Sequence, residues 1–172
     1  MKNKIVSIIV HGASGRLGSR ICAIALDDPS IALTGAITRA DSAHIDRPVS
    51  GASHAKNTIK YSVYQQQRAD VVIDFSNDQG ARAALSIADS TGAALLVGTT
   101  ALSQETLDLL RESSKKKSVI VAPNTSMGIA IVAMMAAKIA RSLGAGYDIS
   151  IVEAHHNKKK DAPSGTALRL AK

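Results

Sequence analysis

The 172-residue chain has one cysteine, no tryptophan, four prolines and four aromatic rings, Tyr61, Tyr64, Phe75 and Tyr147. A single thiol, Cys22, excludes a disulfide framework and a multi-cysteine zinc site, and no bound metal is expected. With so few rings, platforms on which single-stranded nucleic acid could stack are scarce. No uninterrupted apolar run approaches the roughly 18 residues of a membrane span, so no membrane partner is expected. The N-terminal apolar run, Ile5–Val10, is short for a secretory leader, and no small-residue cleavage site follows it. These absences point to a soluble, cytoplasmic protein of one domain, or of one domain and a piece of another.

The residues that are present support a packed core. Forty-five per cent are hydrophobic, which argues against disorder. Lys and Arg outnumber Asp and Glu by 21 to 14, a formal charge of +7. That excess fits scattered solubilising lysines, a site for phosphates and carboxylates, or a duplex-binding surface. The run Lys115-Lys116-Lys117 closes a helical pattern, where positive charge suits the carboxyl end of the helix dipole. No helix-turn-helix or other binding motif accompanies it, so nucleic acid is not an expected partner.

Apolar, β-branched runs alternate with helical stripes. Ile5–Val10, Ile31–Thr38, Val71–Phe75, Ala94–Val97 and Val119–Ala122 read as strands. Arg16–Leu26, Gln79–Thr91 and the stretch opened by Ser103 and running to about Lys116 read as helices. Ala40–Lys60 is polar, carries Pro48 and Gly51, and reads as a loop. Ile129–Leu143 is a strongly apolar helix ended by Gly144 and Gly146. Tyr147–Ala154 alternates and reads as a strand, and Ser164 opens a last helix. Strand–helix alternation with continuous apolar strands predicts an α/β, Rossmann-like parallel sheet covered on both faces. Ligands of such sheets bind at the carboxyl ends of the strands. The pattern changes character near Ser126. Residues 1–126 are therefore expected to form a dinucleotide-binding domain, and residues 127–172 the incomplete beginning of a second, α+β domain.

After the first strand comes Gly12-Ala13-Ser14-Gly15-Arg16-Leu17-Gly18, a G-x-x-G-x-x-G variant of the dinucleotide fingerprint. Its glycines permit a tight turn and close approach of a pyrophosphate, and the next helix presents its amino end to the anion. No Lys-Ser/Thr pair follows, which excludes a kinase-type phosphate loop. Where an acidic residue usually holds the ribose of NAD, this chain has Thr38 with Arg39 beside it. An arginine there can pair with a 2′-phosphate, so NADPH is expected to be accepted alongside NADH. His11 abuts the loop and is either structural or a cofactor contact. Cys22, on the first helix, reads as packed. Met127, Met134 and Met135 read as core or interface residues, and His44 and His54 have no evident partner.

The stretch Glu153–Thr166 concentrates the remaining chemistry. His155 and His156 stand side by side at the end of the expected strand, so they point to opposite faces and cannot easily share one metal. Histidine suits proton transfer near neutrality. Lys159 adds a cation, and Ser164, Gly165 and Thr166 begin a helix whose N–H groups can face an anion. On the residues alone, this is either a convergent carboxylate site or a basic turn before a capped helix.

The motif E-A-H-H-x-x-K-x-D-A-P-S-G-T-A, beginning at Glu153, resembles the signature of the dihydrodipicolinate reductase family. Gly12–Gly18 resembles that family's G-A-x-G-R-M-G, Val97–Thr100 its V-G-T-T-G, and Ala122–Ser126 its A-P-N-F-S. The resemblance implies NAD(P)H-dependent reduction of a cyclic dicarboxylate, dihydrodipicolinate or 4-hydroxy-tetrahydrodipicolinate, to tetrahydrodipicolinate in lysine (diaminopimelate) biosynthesis. It implies a homotetramer and a second domain that binds substrate. It places the cofactor on Gly12, Ala13, Ser14, Gly15, Arg16, Leu17 and Gly18, on Gly98, Thr99 and Thr100, and on Ala122, Pro123, Asn124 and Thr125. It makes His155 the general acid/base and Lys159 the proton donor or carboxylate anchor. His156, Lys159, Ser164, Gly165 and Thr166 would hold the substrate carboxylates. The chain departs from the family pattern at Thr38, at Ala101 after Gly-Thr-Thr, and at Thr125. Family members also extend well past residue 172, so the part after Ser126 is expected to be the less stable. Two further readings stay open: a catalytically inactive nucleotide-binding domain, and another two-domain nicotinamide oxidoreductase.

Overall fold

The structure, a computed structural model, describes residues 4–50, 59–64, 67–155, 157 and 162–171. The chain divides into two compact units, Met1–Ala122 and Pro123–Lys172.

The first unit is built on a sheet of six parallel strands. They are β1 (Val6–His11), β2 (Ile31–Ile37), β3 (Tyr61–Ser62), β4 (Val71–Asp74), β5 (Ala94–Val97) and β6 (Val119–Val121). Their order is β3-β2-β1-β4-β5-β6, and every pairing is parallel. Helices α1 (Arg16–Asp27), α2 (Asp78–Thr91) and α3 (Gln104–Ser114) supply the crossovers. The period-two strand geometry sorts side chains between two cores. Ile9, Val72, Leu95 and Val97 pack with Ala81, Ala84, Leu85 and Ala88 of α2 and Leu110 of α3. Ile8, Val10, Leu33 and Ala36 pack with Cys22 and Ala25 of α1. Burial on both faces is why these strands read as continuous apolar runs. Cys22 is fully buried, as expected, and its thiol is pushed up to about 12 by desolvation, which makes it inert.

Local signals set the helix ends. Asn77 Oδ1 accepts from Gly80 N at 2.8 Å and opens α2, which stops at the left-handed Gly92. Ser103 opens α3 by accepting from Thr106 N at 3.2 Å. The polar stretch 40–60 is turns over its described part, as expected. However, it delivers β3, an edge strand that no apolar run announces. Val49 N bonds to Ile59 O at 2.9 Å and Tyr61 N to Arg47 O at 3.0 Å. Val49 and Tyr61 are thereby buried against the α1-side core.

The opposite, amino end of the sheet is tied by Asp70. Its carboxylate accepts from Ser7 N at 2.9 Å, Ser7 Oγ at 2.7 Å and Lys4 Nζ at 3.1 Å. The Ser7 N–H, then its hydroxyl, then Lys4 hold the carboxyl down at about 2, against an ordinary 3.8. A depressed carboxyl stabilises the fold above its unfolded pKa, and that contribution disappears as pH falls through the folded value. Asp70→Asn is therefore expected to lower the melting temperature at pH 7. In paired thermal melts the gap should narrow below pH 4 and close near pH 2; a gap unchanged over that range would contradict the tie.

The second unit holds α4 (Met127–Leu143) and the short α5 (Gly165–Leu170). Ser126 Oγ caps α4 by accepting from Ile129 N at 3.4 Å, and Gly144, with φ +70°, ends it in a 3₁₀ turn. One expectation is corrected here. The stretch Tyr147–Ala154 is not a strand: alternation makes a strand only where a neighbour supplies a hydrogen-bond ladder, and among the described residues none pairs with it. The face argument for His155 and His156 loses its basis accordingly. Met127–Gly146 is a 20-residue helical stretch with mean hydropathy 1.5, long and apolar enough by length and composition to cross a membrane. Lys138, Arg141 and Ser142 interrupt it, so its longest unbroken apolar run is Ile129–Ala137, far short of a span. An apolar helix of a water-soluble domain meets the same criterion.

Candidate functional site

A cavity of about 1250 Å³ opens at the carboxyl ends of the first unit's strands. Sheet order reverses between β1 and β4, and the cavity spans that switch point. Gly12, Ser14, Gly15, Arg16 and Leu17 form its floor. Gly12 has φ +76°, and a Cβ there would lie 2.6 Å from Phe75 O. A Cβ on Gly18 would lie 2.8 Å from Gly12 C and 2.9 Å from Ala13 Cα. Gly18 thus lets α1 press on the turn, and Ala13 is buried beneath it. Gly15 occupies the cap position of α1 without any side-chain cap, and the first turn carries no acid. The amino end of α1 is therefore left to an anion or to water. A phosphate bridge fits this cradle, which a side chain at Gly12 or Gly18 would fill.

On the β2 side, Ser14 Oγ and Thr38 Oγ1 lie 2.5 Å apart. Thr38 is buried, and its hydroxyl fastens the glycine turn to β2 instead of offering a carboxylate to a ribose. Arg39 lines the cavity with an exposed side chain, its Nε 2.9 Å from Asp41 Oδ1. His44, without an evident partner in sequence, tilts against the Tyr61 ring at 5.6 Å and also lines the cavity. His54 lies outside the described residues.

The β4–β5 side contains a network that the sequence reading missed. Asp74 is fully buried. Its Oδ1 lies 2.9 Å from His11 Nδ1 and accepts from Ser76 Oγ at 2.5 Å; its Oδ2 accepts from Thr99 Oγ1 at 2.5 Å. Ser76 N donates to Thr99 Oγ1 at 2.8 Å. One carboxylate thereby joins the end of β1 to the segments that follow β4 and β5. Its signal in the sequence is an acid ending the otherwise apolar run Val71-Val72-Ile73. Gly98, Thr99 and Thr100 line the cavity, and a Cβ on Gly98 would strike the Phe75 ring. Ala101 has φ +56°, left-handed backbone that explains the glycine of the family pattern. Ala122 follows β6, donates its N–H to Val97 O at 2.8 Å and is not among the lining residues.

In the second unit, Glu153 is the centre of a polar cluster. One oxygen accepts from Ser164 N at 2.7 Å; the other accepts from Ser164 Oγ and lies 2.9 Å from His155 Nε2. Ser164 Oγ also caps α5, accepting from Ala167 N at 3.0 Å. The Ser164 hydroxyl, then His155, then the Ser164 N–H hold Glu153 down at about 2. Asn124 Nδ2 donates to Thr166 Oγ1 at 3.0 Å, and Asn124 Oδ1 accepts from Ser126 N at 2.8 Å. His155, Ser164 and Thr166 are thus placed by named partners. Gly165 is the first residue of α5, and Pro123 and Thr125 flank Asn124. His156 and Lys159 lie outside the described residues.

A parallel sheet switching direction over a glycine cradle defines the first unit as a Rossmann-like nucleotide-binding domain. Residues 6–125 match the family model described as dihydrodipicolinate reductase, N-terminus, and residues 128–172 that described as its C-terminus. The chain belongs to the dihydrodipicolinate reductase family. It is 38% identical over 173 residues to the 4-hydroxy-tetrahydrodipicolinate reductase of Myxococcus xanthus, covering 97% of this chain and 64% of that relative. Identity is 33% over 171 residues to the enzyme of the same name from Rubrobacter xylanophilus, covering 98% and 64%. Among solved structures, a dipicolinate-bound dihydrodipicolinate reductase from Paenisporosarcina sp. TG-14 superposes with a TM-score of 0.66 at 23% identity. It covers 98% of this chain and 64% of its own, and shows the shared fold. The chain spans just under two thirds of the length of these relatives.

Proposed function

We propose that the protein takes part in the NAD(P)H-dependent reduction of 4-hydroxy-tetrahydrodipicolinate, or of its dehydrated form dihydrodipicolinate, to tetrahydrodipicolinate in the diaminopimelate route to lysine. Residues 1–126 bind the dinucleotide, and residues 127–172 contribute to the substrate domain. A cytoplasmic homotetramer is the form we propose for it. The observation that carries the reading is the glycine cradle at the sheet's switch point, on a chain whose second unit carries the family's Glu-Ala-His-His-x-x-Lys motif.

NADH or NADPH, when bound, supplies the hydride. Gly12–Gly18 hold its phosphates, and Gly98–Thr100 with Ala122–Thr125 border its nicotinamide half. His155 is the proposed proton donor. As an imidazolium it keeps Nε2–H on Glu153 and offers Nδ1–H to the substrate. Lys159, His156, Ser164, Gly165 and Thr166 are the proposed partners of the two substrate carboxylates. Fixing both carboxylates would orient the ring for attack and neutralise its charge.

Freshly prepared 4-hydroxy-tetrahydrodipicolinate with NADPH or NADH tests the proposal by substrate-dependent loss of reduced cofactor. Cofactor binding without turnover would favour the inactive nucleotide-binding reading instead. Arg39→Gln is expected to weaken NADPH binding roughly tenfold and to leave NADH unchanged, because only the former offers a 2′-phosphate to the guanidinium. Equal effects on both cofactors in direct titrations would remove Arg39 from the 2′ position.

A further inference from the structure

We propose that His11 is a dinucleotide-binding residue that accepts a hydrogen bond from a hydroxyl of the nicotinamide-side ribose, set in that role by Asp74. The inference rests on the nucleotide reading of the cavity and deepens it. Asp74 is fully buried, and its carboxylate is the meeting point of the His11, Ser76 and Thr99 side chains. An ionised carboxylate accepts only, so each partner donates to it. A neutral imidazole has one N–H, and here it is spent through Nδ1 on Asp74. Nε2 is then an acceptor, and no hydrogen bond among the described residues reaches it.

The placement selects the ligand. The His11 side chain is 13% exposed and lines the cavity, so the ring is gripped at one edge and open at the other. Gly80, in the first turn of α2, makes room for it: a Cβ there would stand 3.1 Å from His11 Cε1. Thr38 and Arg39 mark the adenosine side of the cavity beyond β2. His11, Phe75, Ser76 and Gly80 lie across the switch point, on the β4 side. A dinucleotide laid across the glycine turn brings its second ribose there. A lone pair at Nε2 repels phosphate oxygens and suits a hydroxyl donor.

Asparagine and glutamine separate the two edges of the ring. Asn at position 11 can donate to Asp74 but has nothing where Nε2 stands, whereas Gln reaches further. Titrations of the full chain with NADPH, ADP-ribose and 2′,5′-ADP read the contact, because the last probe lacks the second ribose. His11→Asn is expected to melt like the unmodified protein and to lose about fivefold for NADPH and ADP-ribose, with 2′,5′-ADP unchanged. His11→Gln should recover part of the loss. Equal binding of all three probes by the asparagine variant overturns the proposal, as does an equal loss on all three. If the unmodified chain binds none of the probes, the nucleotide reading falls and this inference with it. A measurement without any variant decides independently: the His11 Nε2 nitrogen resonance should shift on adding ADP-ribose and not on adding 2′,5′-ADP, and no shift with either overturns the assignment.

Discussion

Gly18→Ala is expected to abolish dinucleotide binding and to destabilise the first unit by about 3 kcal/mol or more. A methyl at this position meets backbone, not a movable side chain: Gly12 C at 2.8 Å and Ala13 Cα at 2.9 Å. Relief requires α1 to rise from the turn. Its helical side chains Cys22 and Ala25 are locked into the core below, so the turn must deform instead. Either movement breaks the floor on which the phosphates are proposed to sit. Gly12→Ala should be comparable, since φ +76° adds strain to a 2.6 Å approach to Phe75 O. Gly15→Ala, where the nearest backbone atom is 3.1 Å away, should be milder. Gly92→Ala is a useful control: it shares a positive φ but nothing lies within 4 Å, so about 1 kcal/mol is expected with binding intact. Urea melts and cofactor titrations of the series check this order. A Gly18→Ala protein that binds NADPH normally would show that the cradle is not the phosphate site.

The first unit was largely legible because its signals are local. Ser103 marks a helix start through a bond within one turn, and uninterrupted runs such as Val71-Val72-Ile73 admit little besides a buried strand. The glycine spacing placed the cradle for the same reason. The features missed are those made by residues far apart in sequence. Asp74 gathers His11, 63 positions before it, and Thr99, 25 after, and no spacing rule connects them. β3 exists because Tyr61 finds β2 beside it, not because two residues prefer a strand. The failed strand at Tyr147–Ala154 is the converse: its alternation is present, but pairing is a property of a neighbour. Ser164 was read correctly as a cap, while its second role on Glu153, 11 residues earlier, was invisible until the chain folded.

On the proposed function, His155→Ala is expected to lower kcat by roughly 10²–10⁴, the usual reach of a lost general acid. Glu153→Gln should fall between that variant and the native protein. The glutamate has two effects that an amide cannot reproduce together: it receives the Ser164 N–H and hydroxyl, and it favours the imidazole form that carries its proton on Nε2. Ser164→Ala removes the α5 cap and one donor to Glu153 but leaves the His155 contact. The two variants separate in the nitrogen spectrum of His155, where only Glu153→Gln should redistribute the proton between Nε2 and Nδ1. The pH dependence has a definite sign. With Glu153 held down at about 2, its support of His155 is fully present above the ordinary 4.5 and disappears as pH falls through 2. Glu153 should therefore stay charged, and its contact with His155 stay formed, from pH 6 to 8 in the native protein. A Glu153 carboxyl resonance that moved across that interval would mean that Glu153 titrates there, and that the carboxylate holding the proposed proton donor is not the charged group described.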